Sequence, residues 1–146
     1  MTAKPKPPTP HDFETIAELR LALRRFQAAT DRITSARGLT ARQYDLLAVL
    51  HAPSRRGAMT SEIADQLCIS RNAMSELVSR AQKAGLVNRS DDPLDARRRP
   101  IAPTPKGARR YQAAAQDLQP ERDQLLSLLR RAAQMAEQLT PASRNY

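Results

Sequence analysis

The stretch TSEIADQLCISRNAMSELVSRAQKAGLVNRSDDPLDARRRPIAPTPKG, residues 60–107, decides the fold. Thr60 is placed to cap a short helix over Ser61 to Leu67, whose inner side is Ile63, Ala64 and Leu67. Ser70 caps another helix almost at once, with Ile69 and Met74 at the paired apolar positions that fix the angle of entry. That helix runs to Ala84, and Gly85 supplies the left-handed stop. Leu86 to Ser90 then reads as a short strand, Asp91-Asp92-Pro93 as a turn, and Arg97-Arg98-Arg99 as the approach to a second strand ending near Ala102. Thr104 before Pro105 pairs an N-cap with proline at the first helical position, so a further helix begins directly after the hairpin. Two helices joined by a tight turn, then a basic hairpin held between helices, is the order of a winged helix-turn-helix.

The chemistry of this stretch points to an anionic duplex. On the Ser70 to Ala84 helix, Ala73, Met74, Leu77, Val78 and Ala81 form an apolar face. Arg71, Asn72, Ser75, Glu76, Ser79, Arg80 and Lys83 form a polar one. Short hydrogen-bonding side chains let a helix lie deep in the major groove, and Arg71, Asn72 and Ser75 fall in its N-terminal turns, where base edges are met. An ordinary solvated face is the plainer reading of this helix alone; the hairpin behind it tips the balance. Arg97, Arg98 and Arg99 repel one another in a short loop, and concentrated phosphate charge relieves that cost. Asp95 is placed to accept a hydrogen bond from Arg97 and hold it toward a narrow minor groove. The candidate DNA contacts are Thr60, Ser61, Ser70, Arg71, Asn72, Ser75, Ser79, Arg80, Asp95, Arg97, Arg98 and Arg99.

Outward from this stretch, Thr40-Ala41-Arg42-Gln43 is a capping box bracketed by Leu39 and Tyr44. It opens a helix from Ala41 to His51 with Leu46, Leu47 and Leu50 on its core face. Ala52 to Ala58 is a loop. From about Asp12 to Ala36, Ile16, Leu19, Leu23, Phe26 and Ile33 keep helical spacing, and Leu21, Ala22, Ala28 and Ala29 widen the stripe beyond what one neighbour covers. Beyond Thr104 the helical pattern meets Pro120, which should kink or break it, and resumes with Leu125, Leu128, Leu129, Ala132, Ala136 and Leu139. This second stripe has no evident intrachain partner except the first helix, and pairing with another copy would bury it.

The fold class expected is mainly α with a small β-hairpin wing, a winged helix-turn-helix flanked by N- and C-terminal dimerisation helices. The expected divisions are a disordered basic, proline-rich tail over 1–11, dimerisation helices over 12–38 and 105–140, the DNA-binding domain over 39–104 and a flexible end over 141–146.

Composition narrows the alternatives. In 146 residues, 24 Lys and Arg against 15 Asp and Glu give a net charge of +9. Twelve basic and six acidic residues lie between Arg55 and Arg110, so most of that excess falls on the motif. No apolar run approaches a membrane span and no secretory leader is evident, so the expected place is the cytoplasm. Five aromatic residues, none of them Trp, disfavour a single-strand binder that works by stacking bases. The single cysteine, Cys68, forms no internal disulfide and has no neighbouring ligand pair; it reads as a small, semi-buried turn residue. His11 and His51 lack ligand-spaced partners and read as structural or exposed. No phosphate loop, metal cluster or nucleophile-base pair is present in the sequence, so neither enzyme activity nor a cofactor is expected.

The chain resembles the MarR family of bacterial transcriptional regulators over roughly Asp12 to Leu139. The family's wing pattern is Asp-Pro-x-Asp-Arg-Arg and then, three residues on, Leu-x-Leu-Thr-x-x-Gly. Here it reads Asp92-Pro93-Leu94-Asp95-Ala96-Arg97 and Ile101-Ala102-Pro103-Thr104-Pro105-Lys106-Gly107. Leu39 to Tyr44 and Ser70 to Val87 also resemble the family's helix entry and recognition helix. The resemblance implies a homodimer with intertwined terminal helices, an inverted-repeat operator in double-stranded DNA, and often a small ligand that weakens DNA binding. Arg20, Arg24 and Tyr44 are the residues that could meet such an anionic or aromatic effector, although surface charges and a core tyrosine are the plainer reading of them.

Three departures stand out. Ala96 replaces the first wing arginine, which leaves the pairing to Asp95 and Arg97. Pro100 and Pro103 point to a short, mobile second strand. The segment after Pro120 is shorter than is usual in the family. A protein-binding adaptor that keeps the fold without sequence-specific DNA binding is the alternative function.

Overall fold

Thr9 caps the first helix and Pro10 occupies its first turn, so α1 runs over Pro10–Ala36 and starts two residues before Asp12, where periodicity placed it. Asp12 accepts hydrogen bonds from the Thr9 amide (2.6 Å) and hydroxyl (2.7 Å). This is the cap-then-proline signature that also opens the helix after the hairpin. The structure is a computed structural model that describes residues 7–55, 58–89 and 100–139. After α1 come α2 (Ala41–His51), a single 3-10 turn (Pro53–Arg55), α3 (Thr60–Gln66), α4 (Arg71–Lys83), β1 (Val87–Arg89), β2 (Ile101–Pro103), α5 (Pro105–Asp117) and α6 (Gln119–Leu139).

The chain forms two units, one of residues 30–117 and one of residues 1–29 with 118–146. In the first unit Leu39, Leu46, Leu47, Ile63, Ala64, Met74, Leu77, Val78, Ala81, Leu86, Val87, Ile101 and Ala114 form one buried cluster. The predicted core faces of α2, α3 and α4 are all represented in it. β1 and β2 pair antiparallel, with Asn88 opposite Ala102. The second strand is three residues long and ends at Pro103, which has no amide hydrogen to extend the ladder. In the other unit a cleft of about 400 Å³ is lined by Ala22, Arg25 and Phe26 of α1 and by residues of α6 including Glu121, Leu125, Leu128 and Arg131. Phe13, Ile16, Leu21, Leu126 and Leu129 of that unit are exposed. As Pro120 implied, the last helical region is broken in two, at Leu118.

Local capping explains most boundaries. Thr40 Oγ1 accepts from the Gln43 amide at 3.1 Å and Gln43 Oε1 from the Thr40 amide at 3.0 Å, the reciprocal box expected for α2. Ser70 Oγ accepts from the Ala73 amide at 3.2 Å to open α4. At α3 the register differs from expectation: Met59 is the N-cap and Thr60 the first helical residue. The reason is Glu62, whose carboxylate accepts from the Met59 amide at 2.8 Å; no acid stands three residues after Thr60 to do the same for a cap there.

Three helices end in one motif. After α1 and α4, Gly38 (φ +69°) and Gly85 (φ +71°) take the left-handed conformation. The next amide returns to the helix in each case, Leu39 N–H to Thr34 at 2.9 Å and Leu86 N–H to Ala81 at 2.9 Å. After α3 the same position holds Cys68 at φ +53°, with Ile69 N–H bonded to Ala64 O at 3.0 Å. Cys68 is exposed rather than semi-buried, because a left-handed residue just past a helix end turns its side chain away from the packed faces.

Candidate nucleic-acid interface

The exposed side of α4 is set by which residues its core face uses up. Met74, Leu77, Val78 and Ala81 are buried, which leaves Asn72, Ser75, Ser79 and Lys83 on the opposite side. Ala73, expected on the apolar face, is exposed at its flank. Ser70 remains at the helix entry with its oxygen engaged in the cap. Arg80 turns along the helix to pair with Glu76 at 3.2 Å, a highly exposed pair that adds little to stability.

One flank of α4 faces a cleft of about 290 Å³ lined by Thr60, Ser61, Arg71, Met74, Ser75 and Arg89. Four of the residues singled out from the sequence thus converge from α3 and α4, and β1 contributes a fifth polar group, Arg89. Sequence reasoning missed Arg89 because its cleft is assembled from α3, α4 and β1. The signal available was its place in the strand, two residues beyond buried Val87. Among the described residues no carboxylate lines this cleft. Other arginines of the same unit are engaged: Arg37 with Asp117, Arg80 with Glu76, and Arg110 with the Gly38 carbonyl. Asp95, Arg97, Arg98 and Arg99 lie outside the described residues.

The opposite flank borders a second cleft, of about 350 Å³, between the start of α2 and α4, lined by Thr40, Arg42, Gln43, Ile69, Ala73, Glu76, Leu77 and Arg80. Tyr44 is half-buried against the core and its ring lies 5.3 Å from that of Tyr111, which in turn stacks on His51 at 4.4 Å. The His51 Nδ1 donates to the Leu47 carbonyl at 2.7 Å, so this histidine is a structural one. Arg20 and Arg24 are exposed on α1.

Two carboxylates in this unit depart from ordinary behaviour. Burial pushes the Asp45 carboxyl up, opposed by the neighbouring Arg42 and reinforced by Asp31. The Arg37 hydrogen bond holds Asp117 down, and Arg37 is raised in turn; Nε and a terminal nitrogen of its guanidinium each lie 2.6 Å from Asp117 Oδ2, joining the end of α1 to the end of α5.

The base of the hairpin is fastened to the end of α4. Thr104 caps α5 by accepting from the Gly107 amide at 3.0 Å, and its hydroxyl donates to the Gly85 carbonyl at 2.6 Å. Lys106 Nζ donates to the Ala84 carbonyl at 2.8 Å. Gly107 is buried at the contact with Leu86.

The family model for the MarR family matches residues 37–98, which include the helix-turn-helix and β1 and end before β2. Those residues are similar to the MarR family. The fold is the winged helix of MarR-type transcription regulators: a crystal structure of a MarR family transcription regulator is similar at 26% identity, covering 86% of this chain and 92% of that one, with a TM-score of 0.65. M. tuberculosis MosR in complex with DNA is 25% identical, covering 89% of this chain and 98% of that one, with a TM-score of 0.60. The S. aureus MepR–DNA complex, 24% identical over 82% of this chain and 89% of that one, shares the MarR fold at a TM-score of 0.67. No curated protein sequence matches the chain. No helix among the described residues is long and apolar enough to cross a membrane.

Proposed function

We propose that this chain is a transcriptional regulator that binds duplex DNA as a homodimer, reading an inverted repeat through α4 and the wing. The observation that carries this reading is the cleft where Arg71 and Arg89 converge with the hydroxyls of Thr60, Ser61 and Ser75, beside the exposed Asn72 and Ser79. Two guanidiniums in one cleft repel each other and favour an anion between them. Hydroxyl and amide groups next to them supply hydrogen bonds of the kind that distinguish base edges. In this reading Arg97, Arg98 and Arg99 add the phosphate contacts expected of them from the sequence, with Asp95 supporting Arg97, and Ser70 and Arg80 contribute from the cap and body of α4.

Homodimerisation is supported by the exposed Phe13, Ile16, Leu21, Leu126 and Leu129, since an apolar surface of that extent favours a partner. A small anionic or aromatic effector belongs to the same reading. Selection of duplexes from a random pool tests the proposal. Enrichment of a two-fold symmetric sequence with half-sites about 10 base pairs apart is expected. Absence of enrichment, or enrichment of a single asymmetric half-site, contradicts it.

A further inference from the structure

We propose that Thr104 and Lys106 are positioning residues that fix the pose of α4 on DNA, an inference that rests on the DNA-binding reading above. The last carbonyls of a helix have no partner within it. At the end of α4 three successive carbonyls beyond its last residue are taken by the start of α5: Lys106 Nζ holds Ala84 at 2.8 Å, Thr104 Oγ1 holds Gly85 at 2.6 Å, and the Thr104 amide holds Leu86 at 2.9 Å. The Thr104 hydroxyl is itself oriented, because it accepts from the Gly107 amide at 3.0 Å while it donates to Gly85. The Lys106 side chain also covers Gly85, with its Cδ and Nζ each 3.7 Å from where a β carbon there would stand.

This clasp does something that the core contacts of α4 do not. Apolar packing by Met74, Leu77, Val78 and Ala81 is non-directional and tolerates small tilts. Hydrogen bonds weaken steeply as they bend. α4 has 13 residues, so its first turn lies about 18 Å from the anchored end, and a tilt of about 5° there would move Asn72 by about 1.5 Å. A displacement of that size breaks a hydrogen bond to a base edge yet leaves phosphate attraction almost unchanged. Thr104 and Lys106 therefore act on sequence discrimination through a helix whose reading residues they never touch.

The test uses the full chain, a duplex selected by the parent protein and a random duplex of equal length. In Thr104→Val and in Lys106→Met, affinity for the selected duplex is expected to fall about tenfold, with random-duplex affinity within about twofold of parent. Thr104→Ser, which keeps the hydroxyl, should restore the parent ratio. The salt slope of Lys106→Met should equal that of the parent; a slope smaller by about one would make Lys106 a phosphate contact and overturn the proposal. Equal loss on both duplexes would also overturn it. Residual dipolar couplings of the free proteins read the angle between α4 and α5 directly: a changed angle in Thr104→Val is expected, and an unchanged one refutes the clasp. A parent that prefers no duplex would sink the DNA reading instead, and the helix angle would then still decide whether the clasp sets the pose.

Discussion

Gly107 sits so close to Leu86 that no side chain fits between them: a β carbon on Gly107 would overlap the Leu86 carbonyl oxygen. The obstacle is backbone, which cannot swing aside as a flexible side chain does. It follows that the glycine in the Thr104-x-x-Gly107 pattern is needed for close approach of α5 to the end of α4, its own helical backbone making no special demand.

Gly107→Ala should therefore destabilise the fold by about 3 kcal/mol, the upper range for an overfilled site, even though alanine favours helix. Urea unfolding checks this. A midpoint equal to or above the parent's would show that α5 can withdraw without cost.

Cys68 should respond in the opposite way. A non-glycine residue at φ +53° carries a left-handed penalty that glycine lacks. Cys68→Gly is expected to stabilise by about 1 kcal/mol, raising the melting temperature by a few degrees, and Cys68→Val to destabilise. Thermal unfolding of both variants gives the answer, and a lower melting temperature for the glycine variant would contradict it.

The contrast between these two positions shows what a sequence makes legible. The course of α4 was readable because Ser70, the Ile69 and Met74 pair, and Gly85 all mark the same boundaries. The end of α3 carries the same motif as the end of α4, yet Cys68 gives no sign of it, since the preference for glycine is statistical and this site accepts strain instead. The start of α3 lies one residue before the position that a Thr60 cap implies, because Glu62 accepts from the Met59 amide. Arg89 escaped notice because a cleft formed by three separate elements has no contiguous signature. Two of these limits are local, a left-handed site held by a residue other than glycine and a choice between adjacent caps; only the cleft depends on residues far apart along the chain.

Asp45 supplies a prediction about pH. Its carboxyl is raised in the folded chain by burial, so the ionised form costs stability above the folded value, and that cost disappears as pH falls below the unfolded value of about 3.8. Asp45→Asn should be more stable than the parent at neutral pH, with the advantage shrinking toward about pH 3. Asp117 has the opposite sign: held down by Arg37, it contributes stability above the unfolded value that is lost as pH falls through the folded one. Urea titrations of Asp45→Asn and Asp117→Asn across this range should diverge, and parallel curves would refute the assignment.

On DNA, the two kinds of residue in the interface should separate. Arg89→Ala and Arg71→Ala are expected to weaken binding to all duplexes and lower the salt slope by about one each. Asn72→Ala and Ser75→Ala should relax sequence preference with little change on random duplex. Arg97→Ala should weaken binding as well. Anisotropy titrations across several sequences distinguish these, and a uniform loss in the Asn72 variant would remove it from base reading.

The central claim, that α4 and its adjoining cation-lined cleft bind duplex DNA, is most directly tested by equilibrium binding of the full chain to duplex at stepwise ionic strength. Affinity should fall steeply and linearly on logarithmic axes as salt displaces phosphate contacts, with a selected duplex held more tightly than random sequence throughout. No measurable affinity for any duplex at low ionic strength would contradict the account.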